Sequence, residues 1–263
     1  IQEVSDNLEK YRINDSLSAV YQFFWHEFCD WYLELIKPRL SENAVSTERE
    51  TALSISVHVM KICMNLLHPY IPFITEEITS NLKNAEEPSC VISDWPVADE
   101  TLIDKVKERQ MIFIQEIISA VRNIRSEMNV PPSSQADLFY KTESEENKQV
   151  INKFRAYIQK LARIADIDVL EKEATPEAAA VAVVQEVELF IPLKGLIDLD
   201  VERNRLAREI NRLETQVEGL GKKLQNEQYL TKAPELVVRQ DRDKLKNFNE
   251  KLQKLKLNLR QLN

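Results

Sequence analysis

The sequence is poor in glycine and cysteine, and each scarcity excludes a class of protein. Only 3 of the 263 residues are glycine, which leaves few tight turns or phosphate-cradling loops and favours long helices. The cysteines Cys29, Cys63 and Cys90 are odd in number and share no C-x-x-C spacing, so neither a disulfide framework nor a zinc knuckle is expected. Free thiols fit a reducing compartment, and we expect a cytoplasmic protein.

The chain also lacks recognisable catalytic and metal-binding motifs. It has three histidines, and neither H-E-x-x-H nor a cluster of histidine, cysteine and carboxylate occurs at ligand spacing. The segment GLGKK (219–223) resembles a phosphate loop only in part, and it lies inside a heptad pattern. His26 and Cys29 are equally explained by two residues on one helical turn. We therefore predict no catalytic residue, no metal site and no cofactor in this chain.

Long apolar runs are absent, and the charge is unevenly distributed. No stretch of 18 apolar residues occurs, and the first ten residues lack the apolar segment of a signal peptide, so no membrane association is expected. The net charge is −8. From Leu199 onward, 15 lysine and arginine residues face 10 acids, a net charge of +5, and the preceding residues carry −13. A basic segment therefore follows an acidic body.

Hydrophobic periodicity predicts a helical first part of the chain, residues 1–132. Asn14 fits the N-cap of a long helix that Pro38 ends. Thr47 and Glu50 fit a capping box ahead of a second helix. The predicted helices cover 15–37, 47–68, 72–82 and 100–128, with a loop at 84–99. Together they predict an antiparallel helical bundle.

The pattern changes twice after this bundle. Segments 136–140 and 180–193 are rich in residues that favour strands, and they flank a predicted helix near 147–164. We therefore predict a small α/β linking subdomain over 133–198. From Leu199, two heptad segments separated by a break at Thr231–Pro234 predict an antiparallel coiled-coil hairpin over 199–263. The predicted fold class is mainly α.

The segment FFWHEFCDWY (23–32) contains six aromatic residues and could belong to an active site, a base-stacking surface or a core. At helical spacing Phe24, Phe28, Trp31 and Leu35 share one stripe. This spacing favours burial against neighbouring helices over base stacking.

Basic side chains follow both heptad helices on the side away from the leucine seam. On the first helix they occupy heptad positions c and f, and on the second positions b and c. The residues concerned are Arg205, Arg208, Arg212, Lys222, Arg239, Lys246, Lys254 and Arg260. They could form an ordinary solvated surface, or an arm that binds the phosphates of a nucleic acid.

Five segments of the sequence, spread over nearly its whole length, resemble one family of enzymes. They are FCDWYLELIKPRL (28–40), LLHPYIPFITEEI (66–78), VRNIRSEMNVPP (121–132), GLIDLDVERNRLAREI (195–210) and NEQYLTKAPELVV (226–238). They resemble the anticodon-binding region of class I aminoacyl-tRNA synthetases, and within that class the valyl-tRNA synthetase family. The last segment is the most specific, because isoleucyl and leucyl enzymes differ there.

The resemblance implies a C-terminal fragment of a valine-tRNA ligase, with a bundle that recognises the anticodon and an arm that binds the corner of the tRNA. The HIGH-type and KMSKS-type motifs are absent, so we expect no valine activation by this chain, whereas its parent would use ATP and Mg²⁺. The expected partner is tRNA specific for valine, without DNA or membrane. Because the hairpin satisfies its own seam, we also expect a monomer. Candidates on the anticodon side are Arg12, Lys37, Arg39, Arg122 and Arg125.

Three alternatives remain open at this stage. The hairpin could pair with a partner helix in a protein-interaction scaffold that has no role with RNA. The chain could also be the corresponding region of another class I synthetase, such as the isoleucyl enzyme. Finally, it could be an intact enzyme with an unrecognised site.

Overall fold

A computed structural model describes residues 1–41, 45–84, 86–170, 176 and 178–262. Contacts divide the chain into two compact units, Ile1–Lys105 and Val106–Asn263. The division into parts at 1–132, 133–198 and 199–263 therefore stays a prediction. In the described ranges, every helix is too short or too polar to cross a lipid bilayer.

The first unit is built from helices. Its α-helices are α1 (Gln2–Glu9), α2 (Ile13–Gln22), α3 (Leu33–Ile36), α4 (Ser46–Leu67) and α5 (Pro72–Ser80). A π-helix (Phe23–Tyr32) joins α2 to α3, and 3₁₀ turns cover Lys37–Leu40, Cys90–Ile92 and Glu100–Leu102.

The beginning of this unit differs from the prediction. Helix α1 was not predicted, and Arg12 rather than Asn14 is the N-cap of α2. Between these helices Tyr11 adopts a positive φ of 57°, which reverses the chain. The hydroxyl of Ser16 in α2 donates to the Val4 carbonyl at 2.9 Å. The two short helices therefore form a hairpin.

A core cluster holds α1, α2 and the second half of α4 together. Its buried members are Val4, Val20, Cys63, Met64, Leu66 and Leu67. The apolar residues of α4 recur at helical spacing, which explains why its extent was predicted to within a residue at each end. The capping box is wrong, because Ser46 is already helical and Thr47 therefore lies inside the first turn.

The second unit begins with α6 (Lys105–Glu127), followed by a small α/β layer. The predicted start of α6 at residue 100 is wrong, because the Asp99 carboxylate accepts a hydrogen bond from the Thr101 amide at 2.9 Å and caps a separate 3₁₀ turn. The layer contains the strands β1 (Ala136–Lys141), β2 (Ile164–Val169), β3 (Ala179–Val184) and β4 (Val187–Pro192), with the helices α7 (Glu145–Lys153) and α8 (Arg155–Ala162).

The four strands form one sheet in the order β2-β1-β4-β3. Strand β1 pairs parallel to β2 and antiparallel to β4, and β3 pairs antiparallel to β4. The strand-rich segments predicted at 136–140 and 180–193 are confirmed, whereas β2 was not predicted and the single helix predicted near 147–164 is divided into α7 and α8. A parallel pair needs a crossover connection, which α7 and α8 provide.

The chain then forms the predicted hairpin from α9 (Leu199–Gln225), a short α10 (Glu227–Lys232) and α11 (Glu235–Gln261). Leu206, Ile210 and Leu213 of α9 are buried, as is Leu255 of α11, so the heptad seam is confirmed. Helix α9 has 27 residues, which gives an arm roughly 40 Å long at about 1.5 Å per residue.

Interhelical ion pairs fix the antiparallel register of the hairpin. Lys251 lies 2.8 Å from Glu209, and both occupy heptad position g. Lys256 lies 2.7 Å from Glu214, and both occupy position e. Pairs between like positions, g with g and e with e, are those that an antiparallel coiled coil brings together.

Candidate nucleic-acid interface

A groove on one side of the arm gathers basic side chains from both helices. It has a volume of about 700 Å³, and its charged lining consists of the cations Arg205, Arg208, Arg212 and Lys251 and the carboxylate of Glu209. Arg208 and Arg212 are one helical turn apart, because α9 keeps the four-residue spacing that aligns side chains on one face. Phe248 and Leu213 also line the groove, so it has an apolar floor and a cationic rim.

Arg208 and Arg212 remain available to a ligand. Both are exposed, and within the described part of the chain the hydrogen bond of Arg208 is to the Asn204 carbonyl of its own helix, at 3.2 Å. Arg212 has no ion-pair partner among the residues that the structure describes. Lys251 was not among the predicted residues. It occupies heptad position g, next to the apolar seam, and a search of positions e and g for cations could have identified it.

Arg205 also lines this groove, but its side chain is only 36% exposed and is engaged by the protein, so the structure does not show the outward placement that was predicted for it. Its guanidinium makes a bidentate contact with Glu202, at 2.6 and 2.9 Å. It also donates to Glu209 at 3.0 Å and to the Glu127 carbonyl at 3.3 Å. The buried Glu202 carboxylate raises the pKa of Arg205. Arg205 therefore ties α9 to the end of α6 at the root of the arm.

A second cavity continues from the groove toward this root. It has a volume of about 400 Å³, and Lys254 joins Lys251 and Arg205 in lining it. Asn258 is buried and donates to the Glu127 carboxylate at 3.3 Å. The pKa of Glu209, which lies between the two cavities, is lowered first by Lys251 and then by Arg205. The Glu202 and Glu209 carboxylates at the root are thus paired with cations of the arm itself, Arg205 and Lys251.

The other predicted arm cations are exposed, but they do not line these two cavities. Lys222 lies 2.6 Å from Glu218, and Lys246 lies 4.0 Å from Glu250. Both are pairs on a single helix with well-exposed side chains, which contribute little to stability and separate readily. Arg239 and Arg260 are exposed on α11.

The tip of the arm contains a polar cluster that the sequence analysis missed. Asp241 occupies a seam position yet is buried, and it accepts hydrogen bonds of 2.8 Å from Lys223 and from the Tyr229 hydroxyl. The Lys223 ammonium also lies 4.5 Å from the centre of the Tyr229 ring. Lys223 and Tyr229 together lower the pKa of Asp241. This cluster fixes α10 across the end of the hairpin.

Three of the candidates for the anticodon side lie at the surface of the first unit. Arg12 precedes α2, and Lys37 and Arg39 lie in the 3₁₀ turn that follows α3. All three are exposed, and Lys37 forms an ion pair with Glu34 on the same helical segment. The turn presents two cations within three residues of each other.

The remaining two candidates belong to α6 in the second unit. Arg122 is exposed and donates to the Leu161 carbonyl at 2.9 Å. Arg125 is only 7% exposed, and its guanidinium donates to the Ser134, Pro131 and Arg163 carbonyls at 2.7, 3.1 and 3.4 Å. Arg125 thus joins α6 to the sheet, and its prediction as a surface contact is wrong.

The aromatic segment is only partly core. Phe28 is 2% exposed, whereas Phe24, Trp31 and Leu35 are half-buried. The π-helix has more residues per turn than an α-helix, so the stacked rings are Phe24, Phe28 and Tyr32, at spacings of four residues. Trp31 is half-buried in the same way as Phe24 and Leu35, so the predicted full burial of this stripe is confirmed for Phe28 alone.

Another side of the aromatic segment faces solvent. Tyr21, Phe23 and Trp25 are each about half exposed, and the rings of Tyr21 and Trp25 stack with centres 6.3 Å apart. Phe23 borders a cavity of about 520 Å³ that also contains Glu3, Asp15 and Glu27. These carboxylates disfavour the close approach of a phosphate.

The structure forms one cluster of potential metal ligands that sequence spacing did not indicate. His68, Glu76 and Cys90 offer ligand atoms that all lie within 4.8 Å of one another. They come from three successive elements, so no short motif connects them. Among the described residues no other such group occurs.

Comparisons with known families match the chain in two places. A model of the anticodon-binding domain of tRNA ligases matches residues 1–140. A model described as the valyl tRNA synthetase tRNA binding arm matches residues 198–263. The second match covers the hairpin that carries the basic groove.

Several curated relatives are similar over almost the whole chain. The valine–tRNA ligase of Clostridium acetobutylicum is 38% identical over 254 residues, which is 96% of this chain and 28% of the relative. The corresponding ligase of Syntrophotalea carbinolica is 40% identical over 99% of this chain and 29% of the relative. That of Thermotoga maritima is 35% identical over 100% of this chain and 29% of the relative. The chain thus spans less than a third of the length of these relatives.

Proposed function

Because the chain belongs to the family of anticodon-binding domains of tRNA ligases, we propose that it is the tRNA-binding region of a valine–tRNA ligase. The parent enzyme would join valine to its tRNA with ATP and Mg²⁺. This region would contribute binding of the tRNA and no catalytic group. We propose that it acts as a monomer in the cytoplasm, since the hairpin satisfies its own heptad seam.

The observation that carries this proposal is the groove formed by Arg208, Arg212 and Lys251 within the segment that matches a tRNA-binding arm. Guanidinium groups bind phosphate oxygens in a bidentate manner, and exposed arginines on a rigid helix do so with little loss of entropy. The phosphate-binding set of the arm is Arg208, Arg212, Lys222, Arg239, Lys246, Lys254 and Arg260. Arg205 has a different role, because its donors are already used at the root.

The first unit would approach the anticodon through the cationic surface at Arg12, Lys37 and Arg39, with Arg122 on α6 as a further candidate. Two separate contacts on one tRNA are useful because the second becomes intramolecular once the first has formed. The net negative charge of the rest of the chain discourages indiscriminate binding to other RNA.

A binding titration over a series of salt concentrations tests the role of the arm. Replacing Arg208 and Arg212 by glutamine should flatten the slope of log K against log salt by about 1.4 to 1.8, at roughly 0.7 to 0.9 per phosphate contact. Affinity should fall for all tRNAs alike, since backbone contacts carry no sequence information.

The matched control removes two cations from α7 and α8, by Lys148→Gln and Lys160→Gln. This control has the same net charge as the arm variant but should keep the slope of the unaltered chain. An unchanged slope in a folded arm variant would instead support a solvated scaffold without a role with RNA. A loss of affinity confined to tRNAs with one anticodon would indicate that the arm itself recognises bases.

A further inference from the structure

Three different metal-ligand side chains meet in the first unit. His68 is the C-cap of α4, Glu76 lies in α5, and Cys90 begins the 3₁₀ turn Cys90–Ile92. An imidazole nitrogen, a carboxylate oxygen and the thiol sulfur all lie within 4.8 Å of one another. We propose that these side chains form a binding site for a divalent transition-metal ion, with Zn²⁺ as the best match.

The Glu76 carboxylate is held in place by its neighbours. Its Oε2 accepts hydrogen bonds from the Ser89 hydroxyl at 2.8 Å and from the Cys90 amide at 3.0 Å. Its Oε1 lies 3.9 Å from the Lys83 ammonium, beyond hydrogen-bond distance, and among the described residues it makes no hydrogen bond that would keep it from an ion. Outer partners of this kind orient a metal ligand and are a regular part of metal sites.

The other two ligands have outer partners as well. The Thr75 hydroxyl lies 3.0 Å from the Ile71 carbonyl, to which it donates, and it can therefore accept the Nδ1 proton of His68 at 2.8 Å. That tautomer leaves the lone pair of the imidazole on Nε2. The Cys90 sulfur lies 3.2 Å from the Thr79 hydroxyl, which can turn to donate once the thiol has lost its proton.

The chemistry of the set selects the ion. One thiolate, one carboxylate and one neutral imidazole balance the charge of a divalent cation, and they suit Zn²⁺ far better than Mg²⁺ or Ca²⁺. Ligands of a tetrahedral zinc ion lie roughly 3.5 Å apart. The observed separations of up to 4.8 Å therefore have to shorten by about 1 Å, through small rotations of the partly exposed His68 and Glu76 side chains that keep the hydrogen bonds described above.

A bound ion would connect the end of α4, α5 and the turn at Cys90. Three protein ligands leave the fourth tetrahedral position to water. Because the ion binds only the folded arrangement, it should stabilise the first unit in proportion to its concentration.

Cobalt(II) absorption tests the site directly, since Co²⁺ substitutes for Zn²⁺ and reports thiolate ligation as a charge-transfer band. Titration of the reduced intact chain should give this band with one equivalent bound, together with the visible bands of tetrahedral cobalt. Cys90→Ser should abolish the thiolate band, and the matched control Cys29→Ser should retain it. The absence of the band, its survival in Cys90→Ser, or its loss in Cys29→Ser would each overturn the proposal.

A second variant separates loss of a ligand from loss of the fold. Glu76→Gln keeps an oxygen that can accept from Ser89 and Cys90, so the turn should stay capped, while the affinity for Co²⁺ should fall at least about tenfold. Zn²⁺ should also raise the melting temperature of the unaltered chain above its value in EDTA, and should not do so for Cys90→Ser. An equal rise in both proteins would contradict the assignment of the site.

Discussion

Replacing Arg205 by methionine should destabilise the second unit although the side chain is partly exposed. The change removes both hydrogen bonds to Glu202, whose side chain is only 7% exposed. Removing one partner of a fully buried ion pair costs about 3–5 kcal/mol, because the other charge is left without compensation. The side chain of Arg205 is 36% exposed, so solvent screens part of this interaction. We therefore expect a loss of about 2 kcal/mol.

Differential scanning calorimetry of the intact chain is the suitable assay, since two compact units need not unfold together. A loss of about 2 kcal/mol corresponds to a decrease of roughly 4–8 °C in the melting temperature of a unit of this size. Arg212→Met is the matched control, because it removes the same side chain from an exposed position two turns along α9. Such surface changes usually stay within about 0.5 kcal/mol.

A double-mutant cycle with Glu202→Gln identifies the interaction that is lost. If the Arg205–Glu202 pair holds the root, the two changes should be strongly non-additive, because they remove the same contact. If Arg205→Met instead melted like Arg212→Met and reduced the salt dependence of tRNA binding, Arg205 would be a phosphate ligand after all, and its role at the root would be refuted.

Two further predictions concern the aromatic segment and the tip of the arm. Phe28→Ala should lower the free energy of unfolding, measured by chemical denaturation, by about 3–5 kcal/mol. Trp31→Ala should lower it by less, because Phe28 is the fully buried residue of the two. Equal losses would contradict this difference in burial. Hydrogen-exchange protection factors at the tip, which correct for the intrinsic slowing of exchange in acid, should fall at low pH. The pKa of Asp241 is lowered, so its contribution to stability is fully present above the unfolded pKa of about 3.9 and is lost as the pH falls through the folded value. Asp241→Asn should remove this pH dependence, and its persistence would place the titrating group elsewhere.

The leucine seam of the arm was predictable because the heptad repeat in the sequence alone determines which residues face the seam. Leu206, Ile210 and Leu213 are spaced for burial whatever surrounds the hairpin. The same pattern misplaced Arg205, since position c faces outward only in an isolated hairpin. Here the end of α6 covers that position, and no local pattern in α9 indicates which other element lies against it.

Backbone geometry explains the errors in the first unit. A helical wheel assumes 3.6 residues per turn, and ten consecutive π-helical residues change which side chains align. Phe24 and Phe28 share a side under either period and the stack continues to Tyr32, but of the four predicted core residues only Phe28 is fully buried. Nothing in the residue types of this segment distinguishes the two helices in advance.

The remaining differences depend on tertiary structure. Arg125 and Arg122 look alike in the sequence, and only the position of the sheet decides that the first is buried. His68, Glu76 and Cys90 lie 8 and 14 residues apart on three elements, so a search for short ligand spacings cannot find them. Motif spacing describes sites formed within one element, and packing between elements determines the rest.

Footprinting of valine-specific tRNA by the intact chain tests the proposed function most directly, because it reports both contacts in one measurement. We predict protection of the backbone at the tRNA corner and at the anticodon stem and loop. With the Arg208→Gln and Arg212→Gln variant, protection should be lost at the corner first, and the Lys148→Gln and Lys160→Gln control should give the full pattern. Protection at neither region, under low salt and with folded protein, would contradict the proposal that this chain binds tRNA.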